Sequence, residues 1–186
     1  MLYMNEWQIV LLTGVVTIVT SIVTALITLS ITHRNEVRKL VLEKRAELYF
    51  EFYDEAEHLL HDRFKIYDSN YIGVLLKFKP KMKLLSSAKT VEAFKAFYEL
   101  IAKHFDEYRS YCNQNDPRNN PDFLEIGIDE DGVEYEICHA TDMDISYFES
   151  DVEKFKRENI PSIDTIRQHI TALYTEMRKD LGSNIK

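Results

Sequence analysis

An uninterrupted apolar segment near the start of the chain constrains its fold more than any other feature. No charged residue stands between Glu6 and Arg34. Residues 9–32 form a 24-residue run, which as an α-helix would be about 36 Å long and would exceed the roughly 30 Å hydrocarbon core of a bilayer. Buried core helices of soluble proteins more often have about 10 to 14 apolar residues. We therefore predict a transmembrane helix at residues 9–32.

The charges on either side of this segment predict its orientation. No Lys or Arg precedes it, whereas five basic residues follow it closely: Arg34, Arg38, Lys39, Lys44 and Arg45. Basic residues concentrate on the cytoplasmic side of a span. The segment also lacks the basic start and the A-x-A site of a cleavable signal peptide. The expected organisation in the cell membrane is single-pass, with a short external N-terminus at 1–8, the span at 9–32 and a cytoplasmic domain at 33–186.

The charge distribution bears on the partners of the predicted cytoplasmic domain. The chain carries a net charge of −8, but residues 106–158 alone hold 16 Asp and Glu against 5 Lys and Arg. Because this surface repels phosphate backbones, nucleic acid is not an expected partner. The two cysteines, Cys112 and Cys138, form no C-x-x-C motif, so we expect both to be reduced thiols in the cytoplasm.

Helical periodicity dominates the chain after the span. Residues 34–64 contain no Gly or Pro and repeat apolar residues at helical spacing, so the transmembrane helix is expected to continue to about Phe64. Residues 68–70 are a predicted turn. Residues 71–85 are ambiguous, because residues 71–76 could start a helix whereas the lysines at 77–83 alternate as in a strand. Since Pro80 lies within this segment, we favour a kinked or broken helix. Thr90 is the predicted N-cap of a helix from Val91 to about Cys112.

The remaining segments predict one hairpin and two further helices. An Asn- and Pro-rich loop is expected at 113–122, and alternating residues at about 123–139, around Glu130-Asp131-Gly132, predict a β-hairpin. Asp142 or Asp144 is the expected cap of a helix at 145–159 that buries Tyr147, Phe148, Val152 and Phe155. Pro161 is expected in the first turn of the last helix, whose apolar seam comprises Ile163, Ile166, Ile170, Leu173 and Met177. The predicted fold class is mainly α: a transmembrane helix that continues into a cytoplasmic helical bundle with one small hairpin.

Small and hydroxylated side chains recur along one face of the predicted span. Small residues let two helices approach closely in a membrane. We therefore hypothesise that the chain is a homo-oligomer that associates through this face. The alternative is that the hydroxyls bond to carbonyls of their own helix and face lipid. The residues of the face are Thr13, Thr17, Thr20, Ser21, Thr24, Ala25 and Thr28.

Basic residues outside the span form a second candidate surface. Each Lys near an anionic leaflet contributes about 1 kcal/mol of binding. The alternative for the lysines at 77–83 is a solvated segment that balances the acidic residues 106–158. The candidates for lipid contact are Arg34, Arg38, Lys39, Lys77, Lys79, Lys81 and Lys83.

Motifs for metal binding and catalysis are incomplete. Glu55 and His58 have the E-x-x-H spacing of carboxylate di-iron bundles, but the other E-x-x-H, Glu136 to His139, falls in the predicted hairpin. Asp129 begins a sequence similar to a calcium loop, but Ala140 stands at its twelfth position, where such a loop has Glu. None of the five glycines belongs to a phosphate-binding loop or a nucleophile elbow. We predict no enzymatic activity, no metal and no cofactor.

The junction between the span and the following helix resembles one group of known proteins. A single span that leads directly into Lys39-Leu40-Val41-Leu42-Glu43-Lys44-Arg45-Ala46-Glu47-Leu48-Tyr49 is similar to that of uncharacterised small single-span membrane proteins of Gram-positive bacteria and their prophages. The resemblance covers about a quarter of the chain. It implies a prokaryotic origin and assigns no catalytic residue.

Two functional hypotheses remain. The first is a non-enzymatic, membrane-anchored interaction module that self-associates and presents a surface, within the acidic segment, to an unknown cytoplasmic protein. The second is a phage-exclusion or abortive-infection effector that acts on the membrane through its assembled transmembrane helix. Depolarisation after induced expression would favour the second hypothesis.

Overall fold

A computed structural model describes residues 5–129, 131 and 133–182. Residues 1–4 of the expected external segment, and Glu130 and Gly132 of the predicted turn, lie outside the described residues. The described part is mainly helical and confirms the predicted single hairpin. Its elements are α1 (Glu6–His61), α2 (Ser69–Leu85), α3 (Ala88–Asn115), β1 (Leu124–Ile128), β2 (Glu134–Cys138), α4 (Asp142–Asn159) and α5 (Ile163–Asp180).

The chain divides into two compact units, Met1–Arg45 and Ala46–Lys186. In the first unit, every described side chain between residues 11 and 44 is exposed. By length and composition, α1 is able to cross a membrane, and none of its most apolar stretch is buried within the protein. This exposure distinguishes the part of α1 within the first unit from the core helix of a soluble protein, whose apolar side chains would be covered.

The end of α1 and the start of α2 differ from the prediction because two aspartates form caps. The Asp62 side chain accepts a hydrogen bond from the backbone N–H of Phe64 at 3.0 Å and begins a 3₁₀ turn at Arg63–Tyr67. Helix α1 therefore ends at His61 and does not reach Phe64. Asp68 accepts from the N–H of Asn70 at 2.8 Å, so residues 68–70 are the N-terminus of α2 rather than a separate turn.

The ambiguous lysine-rich segment is helical. Helix α2 continues from Ser69 to Leu85 with Pro80 inside it, so the helix is not broken at the proline and the strand alternative is wrong. Its buried residues recur at helical spacing: Tyr71, Ile72, Leu75, Phe78 and Met82. Pro80 lies on the exposed side. Burial of this apolar face stabilises the helix even though the proline lacks an N–H donor.

Helix α3 begins earlier and ends later than predicted. Its N-cap is Ser87, whose hydroxyl accepts a hydrogen bond from the N–H of Thr90. The assignment of Thr90 as the cap is wrong, because Thr90 is fully buried and its hydroxyl bonds to Asp180 instead. The helix extends to Asn115 and includes the start of the predicted loop. Two 3₁₀ turns follow, at Pro117–Asn119 and Pro121–Phe123.

The last two helices are capped by hydroxyl residues. Thr141 caps α4 and exchanges hydrogen bonds with Asp144 in a capping box, so neither Asp142 nor Asp144 is the cap. Ser162 caps α5 and places Pro161 before the helix rather than in its first turn.

The apolar stripes of these two helices are confirmed in part. In α4, Val152 is buried and Phe148 and Phe155 are half-buried, whereas Tyr147 is 62% exposed, contrary to prediction. In α5 the predicted seam is buried at Ile166, Ile170, Leu173 and Met177.

The core of the second unit is built around an aromatic side chain of α1. The ring of Phe52 is fully buried and makes edge-to-face contacts with Phe78, Phe94 and Phe97 at centroid distances of 5.5 to 5.6 Å. Helix α3 packs against both α2 and α5. Side chains from α1, α2, α3 and α5 therefore form one core, which fixes the surfaces described next.

Candidate functional site

The hydroxyl face of the first unit is exposed, and five of its hydroxyls donate hydrogen bonds within the helix. The hydroxyls of Thr17, Thr20 and Ser21 donate to the carbonyls four residues earlier at 2.7 to 2.8 Å. Thr24 and Thr28 make the same bond at 2.8 and 2.9 Å. The alternative interpretation expected such bonds within the helix, and whether the face contacts lipid or a second helix stays a prediction. A shallow groove on this face is lined by Ala25 and Leu29 together with hydroxylated side chains of the same helix.

The basic candidates separate into distinct surfaces. Arg34, Arg38 and Lys39 are exposed in the first unit. In α2, the helical pitch places Lys77 and Lys81 on one side and Lys79 and Lys83 on another, since residues four apart share a face. A strand would have placed all four together. The four lysines were predicted to form one surface, whereas the helix separates them into two pairs.

The predicted hairpin presents apolar and acidic side chains on one face. In its antiparallel register, Ile126 pairs with Glu136 and Ile128 with Glu134. The two isoleucines are 67% and 65% exposed. Because directly paired residues point to the same side of a sheet, the face alternates isoleucine with carboxylate.

The opposite face of the hairpin is organised around a glycine. Gly127 pairs with Tyr135, and a Cβ added at Gly127 would lie 2.7 Å from Cζ of the tyrosine ring. Next to this pair, Nε2 of His139 lies 2.9 Å from Oε2 of Glu125. Before the turn, Oδ1 of Asp129 accepts from the N–H of Asp131 and of Val133. This carboxylate therefore stabilises the connection between the strands.

An aromatic groove in the second unit was not predicted. The rings of Tyr53 and Tyr174 stack at 5.0 Å, and Phe50, Met177 and Arg178 complete much of its lining. The groove encloses about 480 Å³. Burial raises the pKa of the Tyr174 phenol above its usual value. Tyr53 and Tyr174 lie on different helices, and no local sequence pattern indicates that they meet.

The residues considered for metal binding do not converge. His58 and His61 are exposed on α1, whereas Glu136 and His139 belong to the end of the hairpin. Among the described residues, no group of three or more His, Cys, Asp or Glu side chains is placed to hold a metal ion. Cys112 and Cys138 are free thiols, half-buried and exposed respectively. No family model, no curated protein and no solved structure matches this chain.

Proposed function

We propose that this chain is a membrane-anchored, non-enzymatic interaction module whose hairpin binds a cytoplasmic protein. The observation that carries the proposal is the exposed face on which Ile126 and Ile128 alternate with Glu134 and Glu136. Exposed apolar side chains grouped within a polar rim are typical of protein contact sites. The hairpin also lies within the acidic segment 106–158, which holds 16 Asp and Glu against 5 Lys and Arg.

The chemistry of the hairpin favours a basic, extended partner segment. In the described part of the chain the sheet has two strands, so each strand has one edge that pairs with no other described strand. Such an edge accepts an additional strand through backbone hydrogen bonds. Carboxylates on the same face favour lysine or arginine in that strand and disfavour an acidic one.

Site-specific photo-crosslinking in cells tests this proposal. A photoreactive residue at Ile126 is expected to give a discrete adduct with a partner protein. The double variant Glu134→Lys with Glu136→Lys should abolish the adduct by reversing the local charge. A photoreactive residue at Phe64, which is also exposed, serves as the matched control and should not give the same adduct. The same adduct from both positions, or none from Ile126, would reject the hairpin as the contact.

The anchor and its self-association form the second half of the proposal. An exposed apolar helix followed by basic residues supports membrane insertion with the second unit in the cytoplasm. The groove of small residues supports pairing of two such helices. Because the hydroxyl donors already bond within the helix, pairing would depend on close packing rather than on new hydrogen bonds.

A membrane two-hybrid assay tests the pairing face. Thr20→Leu with Thr24→Leu should reduce pairing severalfold, because the larger side chains fill the groove. Val15→Leu with Val19→Leu is the matched control, since valine and threonine have nearly the same size and these valines lie on the far side of the helix. Equal pairing in both double variants would exclude the threonine face. Rapid depolarisation on induced expression would instead support a membrane-perturbing effector.

A further inference from the structure

A cleft between α2 and α3 gathers three lysines around an aromatic ring. Lys79 and Lys83 of α2 line one side, and Lys95 and Tyr98 of α3 line the other. The cleft encloses about 180 Å³, and the buried ring of Phe94 contributes to its lining. It is thus a concave surface with an apolar floor, three lysines and the carboxylate of Glu99 in its lining.

The lysines of the cleft differ in how their charges are balanced. Lys95 Nζ lies 3.5 Å from a carboxylate oxygen of Glu99. Lys79 Nζ lies 5.6 Å from the centre of the Tyr98 ring, which attracts a cation but does not neutralise it. Neither Lys79 nor Lys83 forms an ion pair with any carboxylate of the described residues. The lining of the cleft therefore carries three lysines against one carboxylate, that of Glu99.

The other lysine pair of α2 provides a contrast. Lys81 Nζ lies 3.0 Å from Glu51 Oε2, so its charge is balanced within the protein. Lys77 and Lys81 are absent from the lining of the cleft. The same helix therefore carries two lysine pairs of equal formal charge, of which one faces a cavity.

We propose that this cleft binds a phosphate-bearing anion. The ammonium groups of Lys79 and Lys83 would donate hydrogen bonds to the phosphate oxygens, and Lys95 would exchange its contact with Glu99 for the ligand. The volume admits one phosphate group with a short organic substituent, which packs on Tyr98 and Phe94. A free phosphate and a phospholipid headgroup share this chemistry. The inference is independent of the hairpin contact proposed above.

Calorimetric titration of the full chain in neutral detergent micelles tests the cleft. The probes are inorganic phosphate and a short-chain phosphatidic acid, each against a chloride control of equal ionic strength. Lys79→Gln with Lys83→Gln should weaken binding roughly tenfold or more, because two charge-assisted contacts are lost. Lys77→Gln with Lys81→Gln removes the same charge and should change affinity less than about twofold. Circular dichroism verifies that both variants keep their helical content.

The affinities of the two probes and of the two double variants distinguish the possible results. Binding of inorganic phosphate with the same affinity as the lipid indicates that the phosphate group alone is recognised, whereas much tighter binding of phosphatidic acid indicates a headgroup site. Equal weakening by both double variants would show that the binding is a nonspecific charge effect and would overturn the proposal. So would the absence of heat above the chloride control for both probes.

Discussion

At the residue scale, one carboxylate links three distant segments of the second unit. Oδ2 of Asp180 accepts hydrogen bonds from the hydroxyl of Tyr49 at 2.7 Å, the backbone N–H of Ser87 at 2.8 Å and the hydroxyl of Thr90 at 2.9 Å. Partial burial by itself would raise the pKa of Asp180, but these donors outweigh burial and lower the pKa below its usual value. The carboxylate therefore joins α5 to α1 and to the start of α3.

Replacement of Asp180 by asparagine should destabilise the second unit. The amide keeps the size of the side chain but loses the charge that holds three donors, one of them on the fully buried Thr90. We expect the free energy of unfolding to fall by about 1–3 kcal/mol. Chemical denaturation of the full chain in detergent, followed by circular dichroism, measures the change. Asp106→Asn, at an exposed position of α3, should change stability by less than about 0.5 kcal/mol.

The same residue predicts a pH dependence. Because folding lowers the pKa of Asp180, its contribution to stability is fully present above the unfolded-state pKa of about 4 and is lost as the pH falls through the folded-state value. The stability difference between wild type and Asp180→Asn should therefore be constant from pH 5 to 7 and shrink below about pH 4. A difference that grew on acidification would contradict this assignment.

Gly127 supports a second residue-scale prediction. A Cβ at this position would approach atoms of the Tyr135 ring to between 2.7 and 3.0 Å, so the ring must move. We expect Gly127→Ala to speed hydrogen exchange of the β1 and β2 amides severalfold. The double variant Gly127→Ala with Tyr135→Ala should recover part of this protection, because the obstructing ring is gone. No recovery would mean that the glycine acts through the backbone and not through the tyrosine.

At the element scale, α2 shows tertiary packing overriding a local signal. Proline inside a helix costs about 3 kcal/mol relative to alanine, because it lacks the N–H and its ring meets the preceding turn. The helix nevertheless persists through Pro80, since the opposite face buries five side chains from Tyr71 to Met82. The sequence pattern of alternating lysines favoured a strand for the same residues. Pro80 favoured a kinked or broken helix over that strand, and the burial of the apolar stripe decides for a continuous helix.

Pro80→Ala should therefore stabilise the protein. The better helix propensity of alanine should raise the free energy of unfolding by up to about 3 kcal/mol. Loss of the proline ring also gives the unfolded chain more conformational entropy, which lowers the free energy of unfolding by about 0.4–1 kcal/mol. The net expectation is a gain of roughly 2 kcal/mol in the free energy of unfolding, measured by chemical denaturation. Leu84→Ala, on the same helix and 83% exposed, should have almost no effect. A loss of stability in Pro80→Ala would indicate that the proline has a specific packing role.

At the scale of the whole molecule, the second unit depends on one aromatic cluster. Phe52 touches the rings of Phe78, Phe94 and Phe97, and so joins α1 to α2 and α3. Deletion of a buried aromatic side chain costs about 3–5 kcal/mol, which is a large part of the 5–15 kcal/mol that stabilises a typical domain. The surfaces proposed for the hairpin and the lysine cleft belong to the unit that this cluster stabilises.

Phe52→Ala and Phe50→Ala form a matched pair that tests this dependence. Both residues lie on α1, but Phe52 is fully buried and Phe50 is 70% exposed. Thermal unfolding should show a loss of about 3–5 kcal/mol for Phe52→Ala and less than about 1 kcal/mol for Phe50→Ala. Comparable losses for both variants would mean that the cluster is not the main source of stability.

Local physics explains why much of this architecture follows from the sequence. Apolar periodicity placed the helices and the α5 seam at Ile166, Ile170, Leu173 and Met177, and alternation around a turn placed the hairpin, because both patterns depend on neighbours a few residues apart. The 24 residues without charge likewise make one exposed apolar helix. The predicted N-cap residues were less accurate, because several hydroxyl or carboxylate residues near the start of each helix are able to act as the cap.

Contacts between distant residues were decided by the tertiary structure alone. The hydroxyl of Thr90 bonds to Asp180, which follows 90 positions later, and Tyr53 stacks on Tyr174 across a separation of 121 residues. The division of the four α2 lysines depends on their segment being a helix, and the cleft of Lys79 and Lys83 exists only because α3 packs beside it. Such arrangements depend on which faces meet, and no local sequence pattern encodes that.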